Sequence, residues 1–225
     1  MVIAIDGPAG SGKSTAARLL AERLGLLYLD TGAMYRAATL ACIRKGVNFD
    51  ADDDIINCVR NCNIRLQYQE GKLEVYLDGR EVTEDIRLPV VNKHISRVSE
   101  ILEVRKLMVE KQRSIGSQGA VVEGRDITTV VFPDADFKFY LDADFDVRVD
   151  RRYKEVVSKG MGVDREEVAK DLENRDRSDT TRKYGPLRKA EDAVYIDTTG
   201  MSIEDVVREM LRHITAADND PVSFF

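Results

Sequence analysis

Short, nearly unbroken apolar runs rich in β-branched residues recur at residues 2–5, 26–29, 120–122, 137–141 and 194–196. Strands exposed to water on one face alternate, whereas unbroken runs belong to strands covered on both, so the pattern predicts a parallel sheet inside an α/β fold. Helical periodicity fills the intervals. Lys13–Leu24 puts Ala16, Leu19, Leu20 and Leu24 on one stripe. A second helix is predicted over 202–211, where Ser202 and Asp205 stand near capping-box spacing ahead of Ile203, Val206, Val207, Met210 and Leu211. Residues 31–119 are too many for a simple strand-to-helix connection and must hold a substructure. Within them residues 64–68 alternate, Glu70-Gly71 can turn, residues 73–77 alternate back, and Asp78-Gly79 offers a second turn, which predicts a small antiparallel insertion. Ile101, Val104 and Met108 predict a helix over 98–112, and Asp164 with Glu167 predicts the capped start of another running through Val168 and Leu172.

Composition narrows the class. The chain has 225 residues, 43% hydrophobic and 33% charged, with 15 Gly and 5 Pro, which excludes collagen-like, disordered and coiled-coil proteins. Its 40 Asp+Glu exceed 34 Lys+Arg, a net charge of −6 that argues against nucleic acid as the main partner. Against that average, residues 148–188 carry twelve Lys/Arg and nine Asp/Glu, the composition of either a local anion site or a solvated helix face. Cys42, Cys58 and Cys62 lack the spacing of a metal site and are expected as reduced core residues. The chain opens on Val2-Ile3-Ala4-Ile5 without a basic leader, and no apolar run approaches the ~18 residues of a membrane span, so no membrane partner and a cytoplasmic location are expected.

Gly7-Pro8-Ala9-Gly10-Ser11-Gly12-Lys13-Ser14-Thr15 satisfies G-x-x-x-x-G-K-[ST], after a predicted strand and before an amphipathic helix. Backbone N–H groups of such a loop curl around phosphates, the helix N-terminus adds positive potential, Lys13 reaches the β and γ oxygens, and Ser14 is placed to ligate Mg²⁺. ATP or GTP binding follows. A signalling GTPase is disfavoured because Asn92-Lys93-His94-Ile95 lacks the Asp of N-K-x-D, and Asp197-Thr198-Thr199-Gly200, which mimics a D-x-x-G switch, lies at the far end of the chain. A mechanochemical ATPase would want a long apolar strand ending in Asp-Glu, which is absent. Phosphoryl transfer remains, and between two polyanions it needs positive charge on both phosphates and exclusion of water rather than a covalent nucleophile.

Further motifs follow the predicted strands: Asp30-Thr31-Gly32-Ala33-Met34-Tyr35-Arg36 after the second, Glu123-Gly124-Arg125-Asp126 after the third, and Arg175, Asp179 and Arg182 in the basic segment. With LDTGAMYR, DGREVTEDIR, VSEILEVRKLMVEKQR, VVEGRDITTVVFPDA and RDRSDTTRKYGPLRKAEDAVYIDTT in that order, the chain resembles the bacterial cytidylate kinases among the P-loop nucleoside monophosphate kinases. The resemblance implies a three-layer P-loop NTPase fold with a five-stranded parallel sheet. It implies a core of 1–40 and 115–225, a helical lid at about 151–185, and an NMP-binding insertion of 41–114 carrying the small antiparallel sheet. It also implies that ATP with Mg²⁺ phosphorylates CMP or dCMP, in a monomer. By similarity Arg36, Arg125 and Arg182 hold the acceptor phosphate, Ser96, Arg105 and Asp126 read cytosine, Arg175 and Asp179 meet the ribose, and Thr31 and Tyr35 line the pocket. Lys13, Arg125, Asp126 and Arg182 form the catalytic set, and one of Arg151 and Arg152 approaches the ATP phosphates. The chain departs from the family pattern at Thr128, where Gly is usual, at Glu123 for Asp, at Thr31 for Ser, and at Ile95 for a small residue. Two other readings stay open: a nucleotide sensor that has lost transfer, and a kinase for another acceptor, UMP being the nearest.

Overall fold

The computed structural model describes residues 1–69, 72–158 and 162–218. In chain order its elements are β1 (Val2–Asp6), α1 (Lys13–Leu24), β2 (Leu27–Asp30), α2 (Thr31–Arg44), α3 (Asp52–Arg60), β3 (Ile64–Gln69), β4 (Lys72–Leu77), β5 (Arg80–Glu81), α4 (Pro89–Glu100), α5 (Leu102–Gly116), β6 (Ala120–Gly124), β7 (Phe137–Asp142), α6 (Phe145–Ser158), α7 (Arg165–Thr181), β8 (Val194–Asp197) and α8 (Ile203–Asp218). The five apolar runs pair as a parallel sheet in the order β2-β6-β1-β7-β8, with β1 in register against both β6 and β7. The predicted α/β class and parallel sheet are therefore present.

Side chains leave successive strand residues on opposite faces, and the sheet uses this to feed two cores. Ala4, Leu29, Ala120 and Val122 face a core shared with α2, α3, α4, α5 and the antiparallel strands; Ile3, Ile5, Val121 and Phe139 face one shared with α1 and α8. The result is three layers, helices on both sides of the sheet. In α8, Val206, Val207, Met210 and Ile214 form the buried stripe, and the Ser202 hydroxyl accepts from the Asp205 backbone N–H at 3.2 Å. That helix runs to Asp218, beyond the predicted 211. Among the described residues no helix is long and apolar enough to cross a membrane, and the three cysteines are free and buried.

The antiparallel insertion forms as the alternation predicts, β3 against β4 and β4 against β5, although the Glu70-Gly71 turn lies outside the described residues. The helix expected over 98–112 is corrected. Val98 lies in the last turn of α4, which ends at Glu100, and Ile101 adopts an extended backbone (φ −71°, ψ 119°) before α5 begins at Leu102. Periodicity carries across such a break because Val98, Ile101 and Val104 all face the same core. The carbonyl of Ser99, near the end of α4, accepts from Arg105 Nη1 at 3.0 Å. The side chain that joins the two helices is thus also one that lines the cleft described below.

Because the insertion shares a continuous core with one face of the parallel sheet, the two should unfold together. Leu29, fully buried between β2 and that core, tests this. Leu29→Ala should cost about 2–5 kcal/mol and lower the urea midpoint of tryptic resistance in the antiparallel strands as much as that of far-ultraviolet circular dichroism. Two separated transitions would show that the insertion folds on its own.

Candidate functional site

In an open parallel sheet the carboxyl ends of the strands meet at one edge, where connections to opposite faces leave a crevice. A cleft of about 840 Å³ occupies that edge. The loop from Gly7 to Gly12 forms its floor between β1 and α1. At Gly7 (φ 154°) a Cβ would fall 2.0 Å from the Leu141 carbonyl oxygen, so only glycine lets the loop turn so close to β7. Lys13 Nζ donates to the Pro8 carbonyl at 3.1 Å, and Arg148 ties the loop down from α6, donating from Nη1 to the Ala9 carbonyl at 3.1 Å and pairing with Asp176 at 2.5 Å.

Four elements bring cations to the opposite wall. Tyr35 and Arg36 come from α2, Arg105 from α5, Arg125 and Asp126 from the turn after β6, and Arg175, Asp179 and Arg182 from α7 and its end. Arg105 Nη2 donates to Asp126 Oδ2 at 2.5 Å, and Arg125 Nε to Asp179 Oδ2 at 2.7 Å. Arg182 lies between, 3.3 Å from Asp179 Oδ1 and 3.5 Å from Asp126 Oδ1. Arg105 is 1% exposed, with its guanidinium 5.6 Å from the Tyr35 ring centroid. Gly185 (φ 58°) closes this corner: a Cβ there would meet Asp126 Oδ2 at 2.2 Å, so the backbone after α7 lies directly on the carboxylate. Arg105 Nε and Arg182 Nη2 are buried without a hydrogen-bond partner among the described residues. Buried donors normally find acceptors, so these are positions a polar ligand would satisfy.

The electrostatics are those of an anion site. Burial, then the Arg125 charge, pushes the Lys13 ammonium down to about 7, while Glu123 opposes the shift. Burial likewise lowers Arg175 to about 9, helped by Arg125 and Arg36, and lowers Arg36. Burial also works against the Arg125 charge, but Asp179 outweighs it and the guanidinium is held more firmly protonated. Burial would raise Asp179, yet Arg125, Arg175 and Arg182 together hold it below the usual carboxylate range.

Ser14 Oγ donates to Glu123 Oε1 at 2.7 Å, and burial followed by Asp30 raises the Glu123 carboxyl. Hydroxyl and carboxylate oxygens are the donors a hard cation takes, and Mg²⁺ is ordinarily held by one or two such groups plus nucleotide phosphates. The pair fits Mg²⁺; among the described residues no cluster of three or more His, Cys, Asp or Glu offers a complete protein cage.

Every residue selected from sequence lines this cleft except Gly7 and Pro8, which shape the loop beneath it. Thr31 donates to the Glu123 carbonyl at 2.8 Å, and Ser96 lies at the cleft edge on α4. Arg151 and Arg152, adjacent on α6, differ. Arg151 donates to Thr198 Oγ1 at 2.9 Å and to its carbonyl at 2.6 Å, whereas Arg152 pairs with Glu155 one turn on at 2.7 Å. Sequence reasoning assigned no role to Glu123, Thr198 or Asp6. Thr198, in the string that mimics a GTPase switch, donates to the Ser11 carbonyl at 3.0 Å and so supports the phosphate loop. Asp6, whose carboxyl burial pushes up to about 6, accepts from the turn that follows Asp126. The signal for Glu123 and Asp6 was their place at strand ends, where a carboxylate is buried only for cause.

The sequence profile of the cytidylate kinases matches residues 3–216. The chain belongs to the cytidylate kinase family. A cytidylate kinase from Pelotomaculum thermopropionicum is 48% identical over 95% of this chain and 96% of its own. One from Clostridioides difficile is 46% identical over 95% and 98%, and one from Pediococcus pentosaceus 45% over 96% and 96%. As a member of the cytidylate kinases the chain is a nucleoside monophosphate kinase, a phosphotransferase, and the family implies ATP as its phosphate donor.

The lowered Lys13 has a measurable consequence. With its folded value at about 7, the amine is mostly neutral at about pH 8, and a polyphosphate beside it stabilises the charged form. ATP binding should then take up a proton and weaken as pH rises through 7 to 9. Calorimetric titration at about pH 8 in two buffers of different ionisation enthalpy should give different apparent enthalpies, whereas identical ones would mean that Lys13 is already charged in the free site.

Proposed function

We propose that the chain transfers the γ-phosphoryl group of ATP to CMP or dCMP, giving ADP and CDP or dCDP. The observation that carries this reading is one cleft in which a phosphate loop faces a cluster of arginines, with a buried Arg105–Asp126 pair behind them. In the proposed reaction the 7–15 loop and Lys13 hold the ATP phosphates, Arg36, Arg125 and Arg182 hold the acceptor phosphate, and Arg175 and Asp179 meet the ribose. Mg²⁺, held by Ser14 and the adjacent Glu123, supplies charge neutralisation on the donor phosphates. Arg152 is the better placed lid arginine for the transferred group, since both donor contacts of Arg151 go to Thr198. Preorganised positive charge around the transferring group, in a site closed to water, is what such a reaction requires.

Cytosine presents an amino donor at N4 beside acceptors at N3 and O2, while uracil presents O4 and an N3–H. Asp126 accepts from the amino group, Arg105 donates to the acceptors, and Ser96 completes the edge. The orphaned Arg105 Nε and Arg182 Nη2 support this placement. Residues 41–114 act as the NMP-binding unit and about 151–185 as the lid, on a core of 1–40 and 115–225. The contacts Arg148–Asp176, Arg125–Asp179 and Ser178–Glu100 span these units and are the ones closure would rearrange. In this reading the chain acts as a monomer. Free buried cysteines suit a reducing cytoplasm.

Two substitutions separate chemistry from selectivity. Lys13→Ala should lower kcat by about 10² or more with CMP and UMP affected alike and circular dichroism unchanged; near-normal turnover at saturating MgATP removes Lys13 from the reaction. Asp126→Ala should lower kcat/KM for CMP much more than for UMP, since a mispaired polar site discriminates by up to ~10⁴. A wild type that prefers UMP, or a ratio that survives the substitution, takes cytosine reading away from Asp126.

A further inference from the structure

Asp126 occupies the position just before a π-helical turn, Ile127–Val131, with non-helical backbone angles (φ −139°, ψ 29°). Its carbonyl accepts from Val130 N at 2.9 Å and Val131 N at 3.1 Å, so it is the cap residue of that turn. An aspartate there ordinarily folds its carboxylate back onto the first free N–H groups of the turn it precedes. Here it makes no such bond. The N–H groups of Ile127 and Thr128 donate instead to Asp6, at 2.8 Å to Oδ1 and 2.8 Å to Oδ2, and the Thr128 hydroxyl adds a third bond to Oδ2 at 2.6 Å. Asp6 is fully buried and Thr128 is 2% exposed.

We infer that Asp6, with Thr128, is a positioning pair for base selectivity: it caps the 127–131 turn in place of Asp126 and so leaves the Asp126 carboxylate turned into the cleft. The inference rests on the reading that Asp126 recognises cytosine. Both oxygens of Asp6 are occupied by donors of the turn, and a carboxylate is the only side chain of its length that accepts on both sides. With the Ile127 and Thr128 N–H groups taken by Asp6, the Asp126 oxygens meet Arg105 and Arg182 instead. The Thr128 hydroxyl supplies a donor that a glycine there would lack and fastens the turn by one bond more. Asp6 is also the residue directly before Gly7. The strand end that launches the phosphate loop therefore sets the base-reading carboxylate as well, although Asp6 does not itself line the cleft.

The test uses the full chain, four single variants and one double variant, reading kcat/KM for CMP and UMP and KM for ATP. Thr128→Val keeps the volume and removes the hydroxyl; Thr128→Ser restores it. Thr128→Val should lower the CMP/UMP ratio by about tenfold, the scale of one hydrogen bond to a charged group, with KM for ATP unchanged, and Thr128→Ser should recover most of the ratio. Asp6→Asn, which turns one acceptor into a donor facing an N–H, should lower the ratio further. In an Asp126→Ala background Thr128→Val should have no additional effect on the ratio, because the residue it positions is gone. A structural defect alone would instead lower both substrates alike and persist in that background, which overturns the inference, as does an unchanged ratio in both Thr128→Val and Asp6→Asn. Should Thr128→Val not fold, Asp6→Asn in the two backgrounds decides the same question. If Asp126→Ala itself leaves the ratio intact, the cytosine reading has failed, and that result is distinguishable from a failure of Asp6 and Thr128 to position.

Discussion

Guanidinium groups cannot be packed together out of water unless carboxylates stand among them, and much of the cleft follows from that constraint. Arg36, Arg105, Arg125, Arg175 and Arg182 share one wall, and Asp126 and Asp179 are placed so that each faces two of the three arginines with which they pair. The residual imbalance is positive. It appears in the lowered values of Lys13, Arg36 and Arg175, all of which a phosphate would reverse. The site therefore favours an anion.

The fold permits this because the charged layer rests on two apolar ones. The parallel strands end in Asp6, Asp30, Gly124, Asp142 and Asp197, so polarity begins where the alternating core residues stop. Several of these carboxylates are spent on backbone: Asp30 accepts from Ala33 N at 2.8 Å and caps α2, which carries Tyr35 and Arg36, and Asp6 holds the turn after Asp126. Loop geometry is thus set in part from strand ends rather than by the loops themselves. Side chains that must meet two ligands at hydrogen-bond precision need that kind of support.

Much of this was legible in the residue string, for physical reasons. Unbroken apolar runs marked all five parallel strands within one or two residues, and Lys13–Leu24 was bounded at both ends because the phosphate loop and Gly25 punctuate it. The phosphate loop was readable because its function lies in backbone N–H groups, which need glycine. What was not readable was register between distant segments. The break at Ile101 left no trace in periodicity because both helices face one core, and α2 was unremarked because its buried face is largely alanine. Arg151 and Arg152 looked equivalent until Thr198, at the other end of the chain, took one of them. Asp6 is the sharpest case. Its partners lie more than a hundred residues away, and the string shows only an acid after an apolar strand.

The ion pairs of the cleft also bear on how substrate binds. Asp179 holds Arg125, and Arg182 bridges Asp179 to Asp126, so in the proposed reaction an arriving acceptor phosphate competes with a carboxylate already in place. A phosphate dianion outcompetes a carboxylate on a guanidinium by charge, and the displaced Asp179 is then free to accept from a ribose hydroxyl in the same nucleotide. One exchange thus couples recognition of phosphate to recognition of sugar. Because Asp179 belongs to α7 and Arg125 to the turn after β6, the same exchange would, in that proposal, release α7 from β6 as the acceptor enters. In that proposal closure is driven by contacts to both nucleotides rather than by these ion pairs.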